Sequence, residues 1–498
     1  MLRRYLAVLF VIATCASAHS QQPNLVLHGT VKGNQNHSYI EAPFDVPSGT
    51  QRLTVLFRYT GKEERTTLDI GVWDPERFRG WSGGNKSSFT ISATDATPSY
   101  LPGYLLPGTW KLLIGVPNIR QQGVASYEAD IYLEFVSGNK TPQRFADKPL
   151  RSSPGWYRGD LHMHTAHSDG QCNSQAGKKV PCPVFLTLQS AATRGLDFIA
   201  LTDHNTTSQY NSLRELQPYF DRLLLIPGRE ITTFEGHANI FGITEFVDFR
   251  VGSNKTPDMN TFFERAAQSD AIISINHPNA PTGEACMGCG WSPKTADLHL
   301  VTAIEAVNGG SEEGSYSGIP FWEKQLDSGY RPTAIGGSDN HNAELPPDKP
   351  GSVGSPTTVV YASELSVNAI LAGIRSGRAF IDLTASRDRL LDLSAQNGAS
   401  TAAMGEDLPA ASGETVSLSI HVLACQGSSV RVVLDGKQNL GTPGAITSPD
   451  QTLTSQWPSD GKRHWLRADV VSESGKLQVL GNPVYINFPP NQARDLKQ

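Results

Sequence analysis

Between residue 24 and about residue 140 the chain alternates apolar and polar positions with a period of two: Leu53, Val55, Phe57 and Tyr59 form one run, and Tyr127, Ala129, Ile131, Leu133 and Phe135 another. On an extended strand alternate side chains share a face, so such runs read as half-buried strands. Gly, Pro, Asn and Ser interrupt them every ten residues or so and helical spacing is nearly absent, which predicts a β-sandwich or jelly-roll-like domain over 24–140. Residues 141–155 are polar and proline-bearing and read as a linker. From Trp156 the rhythm changes. The stretches "LDFIALTDH" and "AIISINHP" are short continuous apolar strands, whereas "PVFLTLQSAATRG" and "PDMNTFFERAAQS" carry apolar residues at helical spacing. Strands alternating with helices predict an α/β domain over 156–384. Beyond it Val416, Leu418, Ile420 and Val422, then "VRVVLDGK" and "PVYINF", return to period two and predict a second, small β-sandwich over 385–490.

Composition narrows the partners. A chain of 498 residues with 38% hydrophobic and 18% charged positions has room for several cores. The net charge of -6 comes without a basic block, which argues against nucleic acid and for small molecules. At the N-terminus, Arg3 and Arg4 precede an apolar run from Leu6 to Ala13 and an Ala16-Ser17-Ala18 exit, so residues 1–18 read as a signal peptide. That run falls short of the roughly 20 apolar residues of a membrane span, and no later segment reaches it. A lipoprotein reading through Cys15 ranks lower, because "IATC" lacks the usual small residue before the cysteine. The mature protein is expected to be secreted or periplasmic, of bacterial type. There Cys172, Cys182, Cys286 and Cys289 default to disulfides of undetermined connectivity, with a four-thiolate zinc site as the alternative. Cys425, in an alternating run, reads as simply buried.

The chemistry concentrates in "GDLHMHTAHSDG", residues 159–170, and where the later strands stop: Asp203-His204, Glu230, His277 and Asp339. Loops after parallel barrel strands gather at one rim, so residues distant in sequence can face one centre. His162 and His164 share a strand face at i and i+2. Imidazole mixed with carboxylate suits Zn, Mn or Fe.

The ordered set His162-Met163-His164, Ser168-Asp169-Gly170, Thr202-Asp203-His204, Gly228-Arg229-Glu230, Gly236-His237-Ala238-Asn239, Asn276-His277-Pro278 and Ser338-Asp339-Asn340-His341 resembles the PHP (polymerase and histidinol phosphatase) superfamily of metallohydrolases. With "GSDNH", "GSPTTVVYA" and the β-rich flanks, it looks most like the CehA/McbA carbaryl-hydrolase-like branch, over residues 156 to about 384. The resemblance implies an α/β fold, a distorted (β/α)7 barrel flanked by the two sandwiches, with two or three divalent ions (Zn, Mn or Fe) at the strand C-termini. His162, His164, Glu230 and Asp339 would hold one ion, Glu230, His237 and His277 a second with Glu230 bridging, and Asp169, His204 and His341 a third. It further implies a metal-bridging hydroxide that attacks a phosphoester, with a carbamate or carboxylic ester as the alternative substrate and Asp339 or His204 moving the proton. His167 falls where the motif varies, either beside the site or exposed. His299 reads as core or strand edge.

Two cysteine-bearing loops, "QCNSQAGKKVPCP" after Asp169 and "NAPTGEACMGCGW" after His277, are expected to overhang the centre as a stiffened rim. Lys178, with Lys179, and Arg229 and Arg378 are candidates for holding an anionic substrate, against the plainer reading of solvated or structural charge. Two rival readings stand beside this one. "GWSGG", residues 80–84, fits the serine-esterase pattern GxSxG, but lies in a glycine- and charge-rich loop where a nucleophile elbow needs a strand before and a helix after. The sandwiches could instead make this a glycan- or surface-binding protein with a subordinate barrel.

Overall fold

The computed structural model describes residues 22–84, 86–135, 144–283, 286, 288–438 and 444–488. The signal peptide expected over 1–18, and the first residues of the expected linker, lie outside the described residues. Among the described residues no helix is long and apolar enough to cross a membrane.

The chain divides into two compact units. The first runs to Ser92 and resumes at Tyr104. It contains β1 (Leu25–Lys32), β2 (Ser38–Val46), β3 (Thr50–Tyr59), β4 (Thr67–Trp73), β5 (Phe78–Gly83), β6 (Ser88–Ser92), β7 (Gly108–Asn118) and β8 (Val124–Phe135). They form two antiparallel sheets, ordered β1-β8-β3-β6 and β2-β7-β4-β5. The period-two pattern explains the layering: Leu53, Val55, Ile131 and Leu133 are buried from one sheet, and Ile70, Val72, Leu112 and Ile114 from the other. The stretch "GWSGG" departs from expectation. Ser82 is not in a loop but within β5, buried and facing the Ile70 carbonyl, on a strand paired antiparallel with β4. A strand position with no helix after it is not a nucleophile elbow.

The second unit takes in Ala93–Gly103 and the chain from residue 144 on. Its elements are β9 (Gly155–Asp160), a hairpin of β10 (Gln171–Asn173) and β11 (Lys179–Pro181), α1 (Val184–Arg194), β12 (Phe198–Leu201), α2 (Gln209–Leu216), β13 (Leu224–Thr232), β14 (His237–Phe241), α3 (Met259–Gln268), β15 (Ile272–Ile275), β16 (Ala303–Asn308), α4 (Ile319–Asp327), β17 (Thr333–Gly337), β18 (Thr357–Ala362), α5 (Val367–Ser376) and β19 (Ala379–Asp382). The helices start and stop as their sequences dictate. Asp258 and Ser366 cap α3 and α5 by accepting from Thr261 N (2.8 Å) and Ala369 N (3.2 Å), and Gly195 and Gly377 end α1 and α5 in the left-handed region.

The sheet is mixed, which qualifies the expectation of a (β/α)7 barrel. β9, β12 and β13 run parallel, as do β15, β16 and β17, but β14 is antiparallel to both its neighbours and β18 to β9 and β19. The loop between Thr232 and His237 explains β14: it is far too short for a parallel crossover, which takes about a dozen residues. At the far end β17 comes beside β18 and β19 without a ladder. Instead Thr358 Oγ1 accepts from Gly336 N (2.8 Å) and donates to Gly336 O (2.7 Å), and Met163 and Asn340 form a single parallel bridge. One threonine side chain and one backbone bridge thus fasten the seam that brings the first and last parallel strands together.

The remaining strands are β20 (Leu390–Asn397), β21 (Ser400–Ala403), β22 (Asp407–Leu408), β23 (Thr415–Leu423), β24 (Ser429–Leu434), β25 (Lys437–Gln438), β26 (Asp450–Pro458), β27 (His464–Val471), β28 (Leu477–Gly481) and β29 (Val484–Ile486). The sheet β21-β20-β23-β26 buries Leu391, Leu393, Leu418 and Ile420 against Val430, Val432, Leu466 and Ala468 of β24 and β27. That second layer is no separate sheet: β28 pairs with β19, so it continues the sheet that carries the histidines.

Candidate metal centre

The clustered residues come from strand ends, each fixed by a local device. Asp160, the last residue of β9, is fully buried and accepts from the backbone N–H groups of His162 (3.2 Å), Ser338 (3.0 Å) and Gly354 (2.7 Å), so one carboxylate ties the start of "HMHT" to the end of β17. Asp203 accepts from Thr165 N (2.7 Å) and Ser168 Oγ (2.7 Å), which holds the turn leading to Asp169. His204 follows β12 and bridges the strand position of Glu230 on β13. His237 opens β14, and the antiparallel turn sets it opposite Thr232. His277 follows β15 and Asp339 follows β17, both with positive φ (26° and 52°). Non-glycine residues persist in that region only where the surroundings over-determine them, as at ligand-holding positions.

Glu230 stands at the centre. Its Oε1 lies 3.4 Å from His162 Nε2, 3.3 Å from His237 Nδ1 and 3.4 Å from His277 Nε2, and its Oε2 lies 3.6 Å from His164 Nε2. Asp339 Oδ1 is 3.3 Å from His162 Nε2 and 3.1 Å from His164 Nε2. Asp169 Oδ1 lies 3.6 Å from His204 Nε2 and 3.3 Å from His341 Nε2. The donors fall into four overlapping groups, each within 4.8 Å: His162, His164 and Glu230; His162, His277 and Asp339; Glu230, His237 and His277; and Asp169, His204 and His341 together with His164. All nine histidines and carboxylates expected from the sequence meet here, with His164 also joining the third set and Asp339 facing His277. His162, His164, Glu230, His237 and His277 form a buried floor, while Asp169, with 56% of its side chain exposed, and His341, with 40%, form the open side.

Orientation and electrostatics fit divalent cations. The His162 Nδ1 faces Glu305 Oε1 (3.0 Å), and His277 and His341 direct Nδ1 at the carbonyls of Cys289 (3.0 Å) and Asp339 (2.8 Å). A ring that donates from one nitrogen presents the lone pair of the other. His162 Nε2, His237 Nε2 and Glu230 Oε2 are buried without a hydrogen-bond partner, the last only 2.7 Å from a misaligned His204 Nδ1. Buried polar atoms left so within one cluster are what an ion would satisfy. Burial works to raise the pKa of Glu230 and Asp339, yet His162 and its neighbouring imidazoles hold both carboxylates well below the usual range. Burial opposes charge on His162 and His204, yet Asp339, Glu305 and Glu230 hold His162 well above its ordinary value, while Asp169 and Glu230 raise His204 to about 10. At His164 burial prevails and its pKa falls.

The other candidates separate. Arg229 is fully buried, with Nη2 on the Glu245 carbonyl (2.8 Å); as the strand neighbour of Glu230 it belongs to the opposite face and does not join the cluster. Arg378 is also misassigned by sequence. Its guanidinium stacks on Trp156 and Tyr361 and bonds Asp392 (3.0 Å), and Trp156 lies at the beginning of β9, on the order of 20 Å of extended chain from His162. Lys178 and Lys179 are exposed on the β10–β11 hairpin, which is anchored at the site by Gln171 N on the His341 carbonyl (2.7 Å). Cys172 and Cys182 lie at disulfide distance (Cα–Cα 4.6 Å), as do Cys286 and Cys289 (5.7 Å), so each loop closes on itself and the four-thiolate alternative falls. Cys425 is a buried free thiol, pushed up to about 11 by burial. His167 turns both ring nitrogens to serine hydroxyls, Ser208 (2.8 Å) and Ser212 (3.3 Å), and His299 packs on Tyr330. Sequence reasoning missed Glu305, Asn276, whose Nδ2 donates to Glu230 Oε1 (2.9 Å), and Asn308, which reaches Asp339 Oδ2 (3.2 Å). The available signal was Glu305 itself, one charge in the apolar run "TAIEAV".

No family model and no curated protein matches the chain. Among solved structures it is similar to a two-domain protein of Bacteroides vulgatus ATCC 8482 described as containing a predicted PHP-like metal-dependent phosphoesterase, with 19% identity, 70% of this chain and 99% of that one covered, and a TM-score of 0.37. A protein of Bifidobacterium adolescentis ATCC 15703, whose assignment as a metal-dependent phosphoesterase is itself a prediction, shares 14% identity over 38% of this chain and 88% of its own at a TM-score of 0.26. Likeness at this level decides nothing, and the reading of the cluster stands on its donor atoms.

Proposed function

We propose that the protein is an exported metal-dependent hydrolase that cleaves phosphoesters. The observation that carries this reading is the convergence of six histidines and three carboxylates, several with lone pairs that no protein group satisfies. Two or three divalent ions (Zn, Mn or Fe) held there would acidify a bound water and polarise the substrate oxygen. The protein's own part is distinct. The buried floor fixes position, and Asn276 and Glu305 fix the orientation of Glu230 and His162. Substrate enters over Asp169, His204 and His341. Where only two ions are held and the position beside Asp169, His204 and His341 stays free, His204 Nε2, steadied by Asp169, is placed to pass a proton to the leaving group, and Asp339 is the second candidate for that transfer. Phosphoesters are preferred over carbamates or carboxylic esters because a group of cations offsets the charge that a phosphoryl group carries throughout the reaction, whereas a neutral ester develops charge only in passing. Cysteine pairs at disulfide distance support export.

The test is metal analysis of the purified protein followed by assays on a nitrophenyl phosphate, a bis-nitrophenyl phosphate, an aryl methylcarbamate and an aryl acetate, with and without chelator. Chelator-sensitive cleavage of a phosphate substrate is expected. Activity on the carbamate or acetate alone would replace the substrate class, and inactivity on all four with metal restored would end the hydrolase reading.

A further inference from the structure

We infer that Glu305 is the positioning residue of this centre: it sets which nitrogen of His162 meets the ion and pins the strained backbone at His277. The inference rests on the metal-centre reading above and extends it to a side chain that holds no place in the donor groups. Glu305 lies on β16, is 2% exposed and uses both carboxylate oxygens. Oε1 takes the Nδ1–H of His162 (3.0 Å), while Oε2 takes the backbone N–H of His277 (2.9 Å) and the Nδ2–H of Asn308 (3.0 Å). Asn308 passes the contact on to Asp339 Oδ2 (3.2 Å). A single carboxylate thereby reaches ligand candidates following three different strands, β9, β15 and β17.

Two further features are built around it. The β16–β17 register shifts between Glu305 and Val307, and an irregularity of that kind re-aims side chains beside a site. Across the ladder, Gly337 leaves the space that the pair needs. A Cβ there would stand 2.3 Å from Glu305 Oε1 and 2.4 Å from His162 Cβ. The consequence for His162 is chemical. With Nδ1 committed as a donor to Glu305, the buried Nε2 is the nitrogen left to meet an ion beside Glu230 and Asp339, once the ion displaces the proton that these carboxylates favour there. The consequence for His277 is conformational. Its φ of 26° is sparsely populated for a side-chain-bearing residue, and the Glu305 Oε2 bond to its N–H is the side-chain contact that ties that peptide to β16.

The test uses the full-length protein and the E305A and E305Q variants. Glutamine keeps the shape but has one accepting oxygen, so it can serve His162 or His277 and not both. Zinc affinity by chelator competition should fall about 10- to 100-fold in E305A, the range for loss of an outer partner of a metal-bound histidine, and by less in E305Q. In zinc-loaded protein with 15N-labelled histidine, the wild type should show His162 bound through Nε2 with a hydrogen-bonded Nδ1–H, a signature lost in E305A. In metal-free protein, hydrogen exchange at the His277 amide should accelerate in E305A. Should E305A fail to fold, E305Q is read by the same three measurements, and a partial change in at least zinc affinity and one other is required. Wild-type behaviour of the folded variants, or weaker zinc binding with an unchanged His162 signature and an unchanged His277 exchange, would overturn the assignment. A wild type that took up none of Zn, Mn or Fe would sink the metal reading instead, and the exchange at His277 would still decide the role of Glu305.

Discussion

At the scale of residues, Glu230 is the position on which the cluster turns, since its two oxygens face His162, His164, His204, His237 and His277. E230Q keeps the volume and removes the charge that several imidazoles surround. Metal content by elemental analysis should fall to background, and hydrolysis should drop by more than the ~10- to 100-fold of an outer-partner change. The raised pKa of His204, about 10, gives a pH prediction with a definite sign. In metal-free protein this ring is protonated at neutral pH, so a cation taken up beside Asp169, His204 and His341 must displace its proton, and metal affinity at that position should rise with pH. Calorimetry in buffers of different ionisation enthalpy should show proton release on metal addition; none would contradict the reading. The same shift links to stability. A folded pKa above the unfolded value contributes stability below about 6.5, lost as pH rises through about 10, so metal-free protein should weaken toward alkaline pH. Residue types were readable from the chain, but sequence adjacency misled at Arg229: on a strand the neighbour of an inward carboxylate faces away.

At the scale of elements, the hairpin β10–β11 is the clearest case of a motif whose role follows from its attachment. Its strands pair antiparallel from Gln171↔Pro181 to Asn173↔Lys179, Cys172 and Cys182 close it, and Gln171 N holds the His341 carbonyl. The paired C172S/C182S variant should lose about 3 kcal/mol of stability by the loop-entropy estimate for a closure of this length, measured by denaturant unfolding. Unchanged stability would mean that the hairpin contacts suffice without the bridge. The strand and helix rhythm of residues 156–384 was visible in apolar spacing, whereas strand direction was not. Direction depended on loop length and on which edges met, as at the turn from Thr232 to His237, and periodicity carries neither fact.

At the scale of the whole molecule, the segment Ala93–Gly103 leaves the strands before and after it and packs with the second unit. There Asp95, fully buried, pairs with Arg214, and the Asn211 side chain accepts from Ala96 N (3.0 Å). Removing one partner of a buried pair leaves an uncompensated charge, so D95A should destabilise by about 3–5 kcal/mol in chemical denaturation while metal content stays unchanged. Lost metal would place this pair nearer the centre than its contacts indicate. The sequence by itself determined the alternation of the flanking strands, the α/β rhythm between them and which nine histidines and carboxylates would cluster, because periodicity, turn residues and side-chain chemistry are local properties. Only the tertiary structure decided the direction of β14, the continuation of the main sheet into β28, the cysteine pairing and the place of Glu305, because each depends on which distant segments come to share an edge or a cavity.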